Sequence, residues 1–490
     1  MIKSGQPDAA SGQRSYRLTV LGLGGLAALL LAYPLARMAF TFEIDNTEGW
    51  NAYHQLRALA GQSLYDGGSP YFFNNYPPLS FYLVGWLSAL LGDVVMVGRW
   101  VSLLAFAAIC LSVASVVRSG GGSRLDALFG AVTCVGLFST LGVDYVGKDN
   151  PQFLGLALMS LGLAVHLAGP PGARRAVVTA GLFALGVMTK HSVVCIPLLV
   201  SLDVLIRGNA RSRAAYLASG AVLAGLAFAV VWGLAGPAFF TQLLARRTWE
   251  EARAFLFTIE VLGQVQAAMA VVGLALLHAR KQRPARLVLA QLGIAWVLAI
   301  FFSGGAGTDI NVFFDVLVAL SMGAGLAPHL VGIPRARAAL ALAIHAGIIF
   351  YSPFCLGRLG VELLGDMDER EKMFAEDVAY VAAIPGTALC HSHLVCLRAG
   401  KPAFYDPVNM MQAMTFGRLP TDTLTGMLER QEIAVVQITD PPPHPEDDIP
   451  GTRGIPARYV DFQPEAFEAL RQHYVLDRVG ASGRFYRPRR

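Results

Sequence analysis

The sequence predicts a polytopic α-helical membrane bundle followed by a small α/β domain at the C-terminal end. Of its 490 residues, 54% are hydrophobic and only 15% charged, whereas soluble domains carry roughly a quarter charged residues. The apolar residues collect in stretches such as 18–35, 214–234 and 261–277, each near the roughly 20 residues that cross a hydrocarbon core. After Tyr351 the character changes: 362–377 is strongly charged and 441–450 is rich in proline, a turn-forming composition that ends the bundle. Residues 1–356 are therefore expected to form the bundle, with a first outer loop at 43–78, and 357–490 a soluble extracytoplasmic domain.

The first apolar stretch follows Lys3, Arg14 and Arg17. It is long and lacks a small-residue cleavage site, so it reads as a retained helix over 16–40. With the N-terminus cytoplasmic, 43–78 becomes an outer loop. The next run, 79–91, follows Tyr76-Pro77-Pro78 and is too short to span, so it is expected to lie at the interface or re-enter. Helix 94–117 then runs inward, and the basic turns 118–124, 169–175, 207–213, 280–286 and 335–337 all become cytoplasmic, as the positive-inside bias requires. Turns 144–152, 190–191, 236–255 and 303–311 fall outside. This register gives roughly eleven spanning helices. The net charge of +5 belongs to those short loops, so nucleic acid is not implied. In the terminal part, β-type runs at 388–390, 403–405 and 433–438 alternate with helical runs at 421–430 and 464–474, an α/β pattern.

Candidate chemistry begins at Glu43-Ile44-Asp45-Asn46-Thr47-Glu48-Gly49-Trp50-Asn51-Ala52-Tyr53-His54, just after a membrane exit. Asp45 and Glu48, three apart, share a helix face, although the same pair fits a capping box. Lys190 and His191 end an apolar run, where a charge is costly unless it snorkels or faces a polar cavity. Arg246 and Arg247 open an alternating charged run read as a surface helix on the membrane. Asp149 precedes Asn150-Pro151 and serves either as a site acid or a cap. The turn Ser303-Gly304-Gly305-Ala306-Gly307-Thr308-Asp309-Ile310-Asn311 suits backbone approach to phosphate or sugar, and Asp315 lies one helical turn beyond Asn311. Cys390-His391-Ser392-His393 with Cys396 leaves zinc, a disulfide and free thiols open, since the spacing fits no common zinc pattern. Cys110, Cys134, Cys195 and Cys355 sit in or beside apolar runs with no metal-site spacing.

The acidic pair, the Trp50-Asn51-Ala52-Tyr53-His54 that follows and Asn75-Tyr76-Pro77-Pro78-Leu79 resemble the GT-C superfamily of membrane glycosyltransferases, most closely its bacterial branch related to protein mannosyltransferases and aminoarabinose transferases. An outer-turn Asp, a Thr-Lys turn and a glycine-rich outer turn recur in the same order, so the likeness covers the membrane part. It implies a GT-C-like bundle in the bacterial inner membrane with its site facing the periplasm. It further implies a polyprenyl-phosphate-linked sugar as donor, a glycolipid or polysaccharide acceptor, inversion at the anomeric carbon, and an acidic base in the first outer loop. That base falls on Asp45, with Glu48 beside it. Asp149 matches less closely, because the family pattern lacks Lys148-Asp149-Asn150-Pro151 in this form.

The chemistry asks for such residues. A base must take the acceptor proton, and cations must meet the departing phosphate. Lys190, His191, Arg246 and Arg247 are the candidates for the latter, and Asp149, Asn311 and Asp315 for holding substrate. Related enzymes differ in metal use, so a divalent metal stays open. The rival reading is a transporter or lipid flippase, which would use the same charges to bind a moving substrate; the paired repeats typical of transporters are not visible here.

Overall fold

A computed structural model describes residues 6–65, 69–365, 367–439 and 461–489; the proline-rich run 441–450 lies outside them. The chain forms helices α1 (Gln6–Arg37), α2 (Asn46–Leu59), α3 (Leu79–Leu91), α4 (Val94–Ser119), α5 (Arg124–Thr140), α6 (Pro151–Leu167), α7 (Ala173–Thr189), α8 (Cys195–Arg207), α9 (Ala210–Ala235), α10 (Pro237–Leu243), α11 (Glu251–His278), α12 (Arg283–Ser303), α13 (Phe314–Val331), α14 (Arg337–Ile344) and α15 (Ala346–Gly365). Among the described residues, six helices are long and apolar enough to cross a membrane, or seven if the bent pair ending in α14 and α15 is one span. This is a multi-pass membrane protein. The expected count of roughly eleven is not established by length: α5, α6 and α7 have 17 residues each, about 26 Å at 1.5 Å per residue, against roughly 30 Å of hydrocarbon.

Burial grades the helices. The span containing α13 is 89% buried and forms the axis of the bundle, whereas the α9 span is 6% buried and lies at its rim. Close packing on α13 needs small residues: a Cβ added at Gly325 would lie 2.5 Å from Val117 and 2.9 Å from the Asp126 carbonyl. The short α3 exposes Trp86, Leu90 and Leu91, as an interfacial helix would.

Polar turns sort to two ends. At one end, a Ser123–Asp126 capping box starts α5, Tyr16 donates to Asp126 at 3.0 Å, and Gly121 packs on His329. There too Asp203 accepts from Arg283 at 2.8 Å and pairs with His166 at 2.9 Å. The basic turns grouped by sequence meet here. The other end gathers the first loop, residues 144–150, Lys190, Arg247 and the glycine-rich turn under the C-terminal domain.

Helix α15 runs unbroken through the expected boundary at 356–357, and α16 (Met367–Ala383) follows it. The C-terminal sheet has the order β1-β2-β4-β3, built from β1 (Ala388–Cys390), β2 (Val435–Ile438), β3 (Tyr474–Gly480) and β4 (Gly483–Pro488). β1 and β2 are parallel, and β4 runs antiparallel to both β2 and β3. Helices α17 (His393–Arg398), α18 (Pro407–Thr415), α19 (Thr423–Glu429) and α20 (Pro464–His473) complete the domain. The run 403–405 is not a strand. Its surroundings bond to the first loop instead: the Asp406 amide donates to the Tyr71 carbonyl at 2.8 Å, and the Ser69 hydroxyl to the Phe404 carbonyl at 2.5 Å. Tertiary partners thus replaced the ladder that local propensity suggested.

Candidate active site

After α1 leaves the membrane the chain must turn, and Asp45 makes the turn. In extended conformation (φ −152°) it caps α2, accepting from the Thr47 amide at 2.9 Å. Its second oxygen pairs with the Lys148 ammonium. The Asp45 side chain stays 32% exposed while Lys148 is fully buried, so the open face of the pair is the carboxylate. Burial alone would raise the Asp45 carboxyl; the charge and hydrogen bond of Lys148, with the Thr47 bonds, outweigh it and hold the group below the usual value.

Glu48, one turn on, does something else. It pairs with Arg99 at 2.6 Å, both side chains wholly buried, and accepts from the amides of Ile44 at 2.8 Å and Asp149 at 2.9 Å. The expected capping box is not formed, because Glu48 bonds to the Ile44 amide rather than that of Asp45. Its oxygens face protein instead of a substrate, so the structure moves Glu48 out of the catalytic role the sequence suggested. Asp149 is also buried, accepting from Gln55 at 2.8 Å. Burial, partly offset by the Gln55 bond and reinforced by Glu48, pushes its carboxyl well above the ordinary range. It stands behind the site; Asn150 lines the cavity in its place.

Asp45 opens into a cavity of about 500 Å³ between the bundle and the C-terminal domain, with Tyr76, Tyr145, Asn150, Arg247 and Asn311 in its wall. Lys190 reaches Tyr76 with its ammonium 3.4 Å from the hydroxyl. Burial would raise the Tyr76 hydroxyl, but Lys190, Arg247 and Lys148 together lower it, which marks a field that favours an anion. Arg247 is held at 2.9 Å on the Ala306 carbonyl and at 2.8 Å on Asn409. Gly307 is left-handed (φ +73°), and a Cβ there would come within 2.9 Å of Arg247; only glycine lets the turn seat the guanidinium.

Other expected residues fall elsewhere. Arg246 is exposed and packs on Phe416. The surface helix expected at 246–253 begins only at Glu251, because residues 248–250 bond to the glycine-rich turn: the Ala306 amide donates to Thr248 at 2.9 Å and the Glu250 amide to Gly304 at 2.9 Å. His191 does not line the cavity, and burial together with Lys190 and Arg247 lowers its imidazole to about 4. Asp315 lies in a separate water-sized void of about 20 Å³ that Asn311 also borders. Cys390 and Cys396 form a disulfide, which removes the zinc reading of that segment. Among the described residues no group of three or more His, Cys, Asp or Glu side chains is placed to hold a metal ion. Sequence reasoning missed Lys148 and Tyr76 as individual site residues; both stood inside quoted motifs, and only their convergence on Asp45 and Lys190 distinguishes them.

This architecture matches ArnT from Cupriavidus metallidurans in the apo state, with a TM-score of 0.61 at 12% identity over 94% of this chain and 97% of that one. The same protein bound to undecaprenyl phosphate gives 0.58 over 94% and 98%. The Archaeoglobus fulgidus oligosaccharyltransferase in its apo form gives 0.53 at 12% identity over 86% and 69%. The chain has a GT-C fold. No protein-family model and no curated protein matches the sequence. In this GT-C bundle the large cavity sits where the first loop, the turns before α6 and α11 and after α12, and the C-terminal domain converge, so no single segment of the chain defines it.

Proposed function

We propose that this protein transfers a sugar from a polyprenyl-phosphate donor to an acceptor on the periplasmic face of a bacterial inner membrane, inverting the anomeric carbon, with Asp45 as base. The observation that carries this reading is an accessible Asp45 carboxylate sharing one cavity with Tyr76 and Arg247, beside Lys190. A neighbouring structure of the same fold is bound to undecaprenyl phosphate, and another is in complex with dolichol-phosphate. The acceptor oxygen bonds to the anomeric carbon, the bond from that carbon to the phosphate oxygen breaks, and the acceptor proton passes to Asp45. The bonding pair leaves on the lipid phosphate, which Lys190 and Arg247 stabilise.

Lys148 couples the two halves of this step. While Asp45 is ionised it neutralises Lys148; once Asp45 is protonated, the buried ammonium is left uncompensated as the phosphate gains charge, so its field turns to the leaving group. The test is transfer of radiolabelled sugar by the purified protein, followed by thin-layer chromatography. Asp45→Asn should lower transfer about 100-fold or more while donor binding survives. Equal transfer by wild type and Asp45→Asn would overturn the base assignment, and absence of transfer by either would overturn the enzyme reading. Sidedness is tested separately: with cysteine introduced at exposed position 62 or 121, an impermeant maleimide should label the former and spare the latter.

A further inference from the structure

A second cavity, of about 340 Å³, lies between the first loop and the C-terminal domain, within the roughly 300–1,000 Å³ typical of small-molecule sites. It meets the larger one at a passage framed by Asp45 and Asn46 from the first loop and by His391 and Asp461 from the C-terminal domain, residues that line both. His391 is 6% exposed, and among the described residues neither of its ring nitrogens has a hydrogen-bond partner. The Asp461 carboxylate stands 3.6 Å from its Nε2, beyond hydrogen-bond range. A buried imidazole left unbonded at a passage beside the Asp45 carboxylate is poised for a ligand atom, since a buried polar group without a partner is costly to leave unsatisfied.

We propose that the smaller cavity binds the acceptor as a neutral saccharide, and that His391 positions the attacking hydroxyl at Asp45. This rests on the glycosyltransferase reading and extends it to a substrate class and a residue. The wall suits a sugar. Phe42 and Phe374 contribute apolar surface to it, with Arg370 packed over the Phe42 ring, and the Ser482 hydroxyl lies in the wall without a partner among the described residues. Glu43, bonded to Ser392, adds no negative charge near neutral pH, because burial raises its carboxyl to about 8 against the opposing bonds from Ser392 and Gly49. The Cys390–Cys396 disulfide brackets His391, tying the imidazole to the sheet by β1 and to α17.

The proposal is tested on the full chain in native membranes by placing the photo-crosslinker p-benzoylphenylalanine at Phe374, in the small cavity, or at Val408, in the large one. Mass spectrometry should find hexose-bearing adducts at 374 and polyprenyl-phosphate adducts at 408. Adding His391→Gln should lower the 374 adduct at least about five-fold and leave the 408 adduct unchanged. In purified protein the same substitution should lower kcat about ten-fold while the donor KM changes less than about three-fold, a split that general loosening of the fold would not produce. No adduct at 374, a peptide adduct there, or yields indifferent to His391→Gln would each overturn the acceptor assignment while the 408 adduct keeps the donor reading standing. Loss of the 408 adduct in the unsubstituted background would instead remove the glycosyltransferase reading itself, and the acceptor proposal with it.

Discussion

Two carboxylate–cation pairs stand three residues apart in the first loop, and they do opposite work. Glu48–Arg99 is sealed, with both side chains at 0% exposure, whereas Asp45–Lys148 leaves the carboxylate 32% exposed above a buried ammonium. Arg99 also donates to the Phe42 carbonyl at 2.8 Å and the Met38 carbonyl at 3.1 Å. The sealed pair therefore fixes where the first helix ends and where the loop turns. The open pair is what that fixed loop presents to the cavity. Burial with full hydrogen bonding makes a charge structural, and partial exposure beside a cavity makes it available for chemistry.

The comparison is broken most severely from the sealed side. Glu48→Gln leaves Arg99 buried without a counter-charge, which costs about 3–5 kcal/mol. Purified yield and thermal midpoint should both fall sharply; a variant as stable as wild type would show that the pair is not what holds the loop. Asp45→Asn should cost less, because the carboxylate it replaces is 32% exposed and the amide oxygen can still cap α2; the buried Lys148 loses its counter-charge, so the thermal midpoint should fall, but by less than in Glu48→Gln, while transfer is lost. If both substitutions destabilise equally, the division of labour between the pairs is wrong.

A smaller effect is expected at Lys148. Lys148→Met preserves length and removes the charge, so the Asp45 carboxyl should rise toward its ordinary value, and the acid limb of the pH–rate profile should move to higher pH with a roughly ten-fold lower kcat. An unshifted acid limb would mean that Lys148 does not tune Asp45. At Glu43 the effect is read on stability against pH instead of on rate, because burial raises its carboxyl from 4.5 to about 8. The folded state then holds a proton that the unfolded state releases, so stability is greatest below about pH 4.5 and falls as pH rises to about 8. Glu43→Gln should remove that slope, so that thermal midpoints from about pH 5 to about pH 8 fall less than in wild type. Parallel curves would show that Glu43 titrates normally.

Much of this was legible in the sequence. Long apolar runs declare a membrane bundle because hydrocarbon demands them, whatever the tertiary detail. The alternation of basic and acidic turns along the chain grouped the loops into the two sets that the structure gathers at opposite ends, and Asp45 stood out as a carboxylate at a membrane exit. Short-range pattern also gave β1, β2, α19 and α20 nearly to the residue.

What the sequence left open is whatever depends on residues distant in the chain. Asp45 and Glu48 look alike as letters; only the arrival of Lys148 beside one and Arg99 beside the other separates the open carboxylate from the sealed one, across sequence separations of 103 and 51 residues. Spacing offered zinc, disulfide and free thiols for Cys390 and Cys396, and the fold chose the disulfide. The β3–β4 hairpin went unread because β3 is an edge strand with Val475, Leu476 and Val479 exposed, so it lacks the inside–outside alternation that marks a half-buried strand. Composition and periodicity record what each segment must do toward lipid and water, whereas the partner of a charged side chain is fixed only when the helices pack.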